Sequence, residues 1–155
     1  MSPGALRRVA TLLAAAWFGL GAGLGAVAAP VLFATLDRGS AGRVAARLFA
    51  VDAVVGTVLA VVLLMASRIA ARSGLARMES PLNAESLLAL GGLFCILAGH
   101  YAIQPLMVAA RGAPPAGPSF AVLHAAAGAF FVAKLGLVAV LAWRWSRPSS
   151  PPPSS

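Results

Sequence analysis

The chain has 155 residues, of which 60% are apolar and only 10% charged, with a mean hydropathy of +0.89. This balance excludes an ordinary soluble domain, and the length argues for a single one. The net charge of +8 does not point to nucleic acid, since the eleven arginines and one lysine are not interleaved with aromatics.

They stand instead at the ends of apolar stretches, where they meet anionic lipid and set orientation. The Ala/Gly/Arg bias fits a bacterium with a G+C-rich genome. The single cysteine, Cys95, lies within an apolar stretch and reads as a small buried hydrophobe.

After a basic head, Met1 to Arg8, residues 9–36 carry no charge, more than the roughly 20 needed to span a bilayer. Arg7-Arg8 and Ala26-Val27-Ala28 imitate a cleaved signal peptide, but the run is too long and more membrane segment follows it. A first helix is expected over about 9–36, bent near its far end by Pro30. Two interleaved pairs, Gly19/Gly23 and Gly21/Gly25, offer a small-residue face for a second copy or a membrane partner.

Asp37 to Ser40 reads as a turn, with Ser40 as the N-cap of a second helix over about 41–67. Arg43 and Arg47 fall at its interface and Asp52 inside it. Arg68, Arg72 and Arg77 mark a basic loop. Ser80-Pro81 or Asn83 opens a third helix over about 83–110.

That helix stops before Arg111, and Gly112 to Pro118 cannot continue it. Ser119 caps a fourth helix, 119–143, which contains Lys134. Trp143-Arg144-Trp145 has the composition of an interfacial anchor. The expected architecture is all-α: one integral membrane domain, 1–147, of four transmembrane helices, then a disordered Pro/Ser tail, 148–155. Both termini then share a side. Seven arginines on that side against four on the other place both termini in the cytoplasm, in a bacterial inner membrane.

His100, Gln104 and Met107, spaced i, i+4, i+7, form a polar stripe on an otherwise apolar third helix. Hydrocarbon does not satisfy such a stripe, so it must face a partner or a cavity. With ~1.5 Å of rise per residue, counted from the outer ends, Asp52, Gln104, His124 and His100 all fall in the outer half of the bilayer. They are expected to converge on an outward-facing pocket, while Lys134, deeper, snorkels toward the cytoplasmic face. Asp52 reads as a proton or cation site, or as an acid paired with a neighbour. The two histidines read as ligands of a metal or haem, or as interhelical hydrogen-bond partners. Gln104-Pro105 marks a kink, and Phe130, Phe131 and Trp17 read as packing residues.

Four segments in register, Ala29 to Leu36, Ala41 to Phe49, Ile103 to Met107 and Phe120 to His124, resemble the bacterial family of unknown function DUF4149. That family is related to a eukaryotic transmembrane-protein family linked with platinum-drug resistance. More distantly the chain resembles copper-resistance D-type membrane proteins and haem-binding four-helix protoporphyrinogen oxidases. The resemblance implies a small four-helix membrane protein with Arg47, Gln104, Pro105 and His124 as its polar marks.

No nucleophile–base pair, phosphate loop or zinc motif occurs, so no catalytic residue and no resident cofactor is predicted. The leading expectation is a non-enzymatic membrane protein that binds or passes a small ligand or soft metal through the pocket of Asp52, His100, Gln104, Met107 and His124. One alternative is a haem-binding oxidoreductase or electron carrier using His100 or His124. The other is a structural subunit of a larger complex.

Overall fold

The computed structural model describes residues 2–72, 83–112 and 117–147. These form an all-α bundle whose four helices are each long and apolar enough to cross a membrane. The first runs Pro3–Gly23, a π-turn Leu24–Ala28, then Ala29–Thr35. The second is Arg38–Arg72. The third runs Ala84–Ile96, a π-turn Leu97–Ala102, then Ile103–Gly112, and the fourth is Phe120–Ser146. The expected tail, the loop residue Arg77 and residues 113–116 of the Pro/Gly break lie outside the described residues.

The helix starts follow local chemistry. Ser2 accepts from the Ala5 amide with Pro3 at the first helical position, so the basic head is already helical rather than an extension. Asn83 and Ser119 accept from the Ser86 and Val122 amides. The second helix departs from expectation: Asp37, not Ser40, is the cap. Its Oδ1 accepts from the Ser40 amide at 2.9 Å, which moves the start back to Arg38. Arg68 and Arg72 also prove helical. The Ala-rich end keeps its propensity, and long arginine side chains reach the interface without breaking the helix.

Both π-turns precede a proline. Pro30 and Pro105 offer no N–H and crowd the preceding turn. The backbone answers by widening one turn: the Ala29 amide donates to Leu24 and the Ile103 amide to Ala98, each five residues back.

The outside is greasy, with Leu12, Val58, Phe94 and Val132 all more than half exposed, a surface that hydrocarbon solvates and water does not. Inside, alanines let the helices approach: Ala10, Ala14, Ala53, Ala60 and Ala89 are buried. Trp17 is the keystone. It is fully buried, and its indole occupies the space that side chains on Gly56 of the second helix and Gly92 of the third would need, at 2.7 and 2.8 Å from their ideal Cβ positions.

The end carrying both termini is tied by polar contacts. Arg7 donates to the Trp145 carbonyl, and Arg144 pairs with Glu85 at 2.9 Å. Ser67 and Ser86 share a buried hydrogen bond of 2.8 Å. In the expected anchor, Trp143 is exposed under the Arg147 guanidinium, whereas Trp145 joins the core.

Candidate functional site

The centre of the bundle holds a buried ion pair. Lys134 Nζ of the fourth helix donates to Asp52 Oδ2 of the second at 2.5 Å, and each residue is only 3% exposed. Asp52 stands fourteen positions past Arg38 and Lys134 fourteen past Phe120. At ~1.5 Å per residue, each is then ~21 Å along its own helix. Lys134 therefore does not snorkel. The second helix begins at Arg38 rather than at about residue 41, which carries Asp52 down to the level of Lys134.

Three elements wall the pair. Gly21 of the first helix covers it: a Cβ there would stand 3.5 Å from Lys134 Nζ and 3.7 Å from Asp52 Oδ1. The Phe131 ring lies 4.6 Å from Lys134 Nζ and meets Phe49 edge-on at 5.2 Å. The same ring fills the space beside Gly25. Trp17, Gly21 and Gly25 follow one another at i, i+4, i+8, so one face of the first helix carries the keystone, the cover and the aromatic wall. The two glycine pairs thus divide. Gly21 and Gly25 receive Leu135 and Phe131 from the same chain, while nothing approaches Gly19 or Gly23.

Asp52 is only half satisfied. Among the described residues its Oδ1 is buried without a hydrogen-bond partner, and so is Trp17 Nε1. An unpartnered carboxylate oxygen in an apolar wall is costly, and most buried polar atoms do find partners.

The other expected site residues are not brought together. His124 is exposed, its ring stacked at 5.8 Å on Phe120, over which Arg111 lies at 4.7 Å. Lys134, and with it Asp52, stands ten residues further along the fourth helix, ~15 Å by the helical rise. Gln104 and His100 are half-buried and Met107 is buried. The straight stripe is broken because His100 lies in the π-turn, which rephases it against Gln104 and Met107. Arg47 and Pro105 are exposed.

As a metal or haem site this arrangement fits poorly. No three His, Cys, Asp or Glu side chains converge among the described residues, and His124 turns away from the interior that His100 borders. What the geometry does supply is one buried carboxylate oxygen without a hydrogen-bond partner and one ammonium tethered to the other oxygen of the same acid.

The Asp52–Lys134 pairing joins residues 82 apart in sequence, and nothing local in the chain announces it. The buried Ser67–Ser86–Asn83 cluster was likewise not anticipated. Serines and an asparagine at helix ends read as caps, and only the packing of the second helix on the third makes them a network.

No curated protein and no solved structure matches the chain. Residues 12–113 match the family described as a domain of unknown function (DUF4149). That match takes in most of the first helix and the whole of the second and third, including Trp17, Gly21 and Asp52, and the chain belongs to the DUF4149 family.

Proposed function

We propose that this multi-pass membrane protein binds or passes a small cation, the proton included, at Asp52, with Lys134 as the tethered cation that the ligand displaces. The observation carrying this reading is the unpartnered Oδ1 of a buried intramembrane carboxylate. Charged side chains inside a membrane are expensive and mark ion or proton sites by default. A structural ion pair has no use for an open acceptor, and apolar residues of similar volume serve packing at least as well. His100, Gln104 and Met107 lie on the third helix toward the loop that joins it to the fourth, and we assign that end as the side from which a cation reaches Asp52. The arginine distribution places that end outward and both termini in the cytoplasm of a bacterial inner membrane. On this reading the chemistry at Asp52 is the exchange of one cation for another against the same carboxylate.

The test uses the proton as the probe. Full-length protein is reconstituted in vesicles of neutral lipid containing a pH-sensitive dye, and a pH step is applied outside. Wild type should dissipate the step faster than empty vesicles, and Asp52→Asn should abolish the gain. The double variant Asp52→Leu/Lys134→Met controls for folding: it should reconstitute normally and be silent. Equal rates in wild type and both variants would remove Asp52 as the site.

A further inference from the structure

Among the described residues, three buried side-chain nitrogen or oxygen atoms lack a hydrogen-bond partner, and two of them share one helix–helix seam. Trp17 Nε1 of the first helix lies 2.7 Å from the ideal Cβ position of Gly56 on the second. Asp52 Oδ1 of the second lies 3.7 Å from that of Gly21 on the first. Trp17 thus meets Gly56 while Gly21, a turn further on, meets Asp52, a turn further back, as antiparallel helices require. The indole N–H and the carboxylate oxygen therefore stand at consecutive levels of the same seam. Cβ positions four residues apart on a helix are separated by ~5–6 Å. Two hydrogen bonds of ~2.8 Å through one shared molecule bridge such a gap.

We infer that one water molecule is held between Trp17 Nε1 and Asp52 Oδ1, and that it makes the proton, rather than a metal ion, the cation Asp52 takes up. This rests on the reading of Asp52 as a cation site and narrows it. The two atoms are complementary: an indole only donates and an ionised carboxylate only accepts. A bridging group must accept from one and donate to the other, as water does. Buried water settles where polar groups are otherwise unsatisfied and makes about three hydrogen bonds. The Lys134 ammonium, 3.5 Å from the same Gly21 Cβ position, stands beside the pair with further N–H bonds. Hard metal ions such as calcium and magnesium take about six or more oxygen ligands. The wall here offers one carboxylate, an N–H donor, an ammonium and the apolar side chains of Phe131 and Leu135. A proton needs only the water. As it adds to the water's oxygen, one of the water's own O–H bonds breaks and that hydrogen bonds to Oδ1. The water is left intact and the carboxyl neutral. Trp17 keeps its N–H throughout and is a positioning residue.

Acid-induced infrared difference spectra of the reconstituted full-length protein, in ordinary water and in water enriched in heavy oxygen, test the assignment. An O–H stretching band should change as Asp52 is protonated, and it should shift with the oxygen isotope. Trp17→Phe keeps an aromatic ring in the core but removes the N–H, and should abolish that band while the Asp52 carboxyl band remains. Trp145→Phe removes the other unpartnered indole N–H, eleven residues past Lys134 on the fourth helix, and should leave the band in place. In the neutral-lipid vesicles, Trp17→Phe should slow proton entry about fivefold, the scale of one net hydrogen bond. Sodium, potassium and calcium ions should enter no faster than into empty vesicles. Helical circular dichroism checks that each variant is folded, and the isotope shift in the wild type stands without any variant. A wild-type spectrum insensitive to the isotope, or a band and a proton flux unchanged in Trp17→Phe, would overturn the inference. Metal-ion entry that Asp52→Asn abolishes would overturn the proton specificity and leave Asp52 as a cation site. If wild type and Asp52→Asn pass protons alike while the Trp17-dependent band is present, passage fails and the water site holds.

Discussion

Removing Lys134 alone should be far more damaging than removing it together with Asp52. In Lys134→Met the Asp52 carboxylate remains in a wall of Phe131, Leu135 and Gly21 with neither oxygen paired. Breaking a buried pair from one side costs about 3–5 kcal/mol, because the surviving charge is stranded. Asp52→Leu strands the ammonium in the same way. The double variant strands nothing, and replacing a buried pair with apolar residues of similar volume is typically neutral or stabilising. The double-mutant cycle should therefore give a coupling of several kcal/mol. Interhelical hydrogen bonds in membrane bundles average only about 0.6 kcal/mol in such cycles, so an ion pair should stand well clear of that background. Reversible unfolding in mixed micelles, with sodium dodecyl sulfate as denaturant and helical circular dichroism as readout, supplies the four free energies. A double variant that loses roughly the sum of the single losses would refute the reasoning. It would mean that the two residues stabilise the bundle separately.

Other predictions concern the helices around the pair. Gly56→Ala and Gly92→Ala drive a methyl into Trp17 and should each destabilise by about 1–3 kcal/mol in the same unfolding assay. Gly19→Ala and Gly23→Ala meet nothing within 4 Å and should be neutral or slightly stabilising through helix propensity. The Ser40 hydroxyl and amide hold the exposed Asp37 carboxyl below its ordinary value. The stabilisation this cap supplies is therefore present above the usual carboxylate range and is lost as pH falls through the lower folded value. The protection factor of the Ser40 amide should fall only below the ordinary carboxylate range, and loss of protection already near neutrality would contradict the cap. Reporters fused after Arg77 should report the cytoplasm and those after Ala116 the periplasm. The reverse pattern would mean that Arg38, Arg43 and Arg47 govern orientation.

The four spans were plain in the sequence because hydrocarbon demands long apolar runs, and apart from Asp52 and Lys134 the charges stand toward the ends of those runs. Asn83 and Ser119 were readable as caps because each precedes an apolar run and carries an oxygen for the amide three residues on. Asp37 was missed for a local reason: Asp and Ser both cap well, and the two candidates stand only three residues apart. Pro30 and Pro105 announced a disturbance, but not that a π-turn would absorb it and carry His100 out of line with Gln104. Gly56, and Gly92 of the Gly91-Gly92 pair, are small residues in apolar helices, and their purpose appears only once Trp17 enters between them. The central pair was least legible of all. Its two members come from the second and fourth helices, and the level at which they meet depends on where those helices start.

The most direct test of the central claim is the infrared signature of Asp52 itself. Difference spectra on acidifying the reconstituted protein should show an ionised carboxylate giving way to a protonated carboxyl band. That band should be absent from Asp52→Asn and retained in His124→Ala. Its appearance is Asp52 taking up a cation in place of Lys134. If no acid-induced carboxyl band depends on Asp52, the carboxylate is sealed in its pair with Lys134 and the pair is structural.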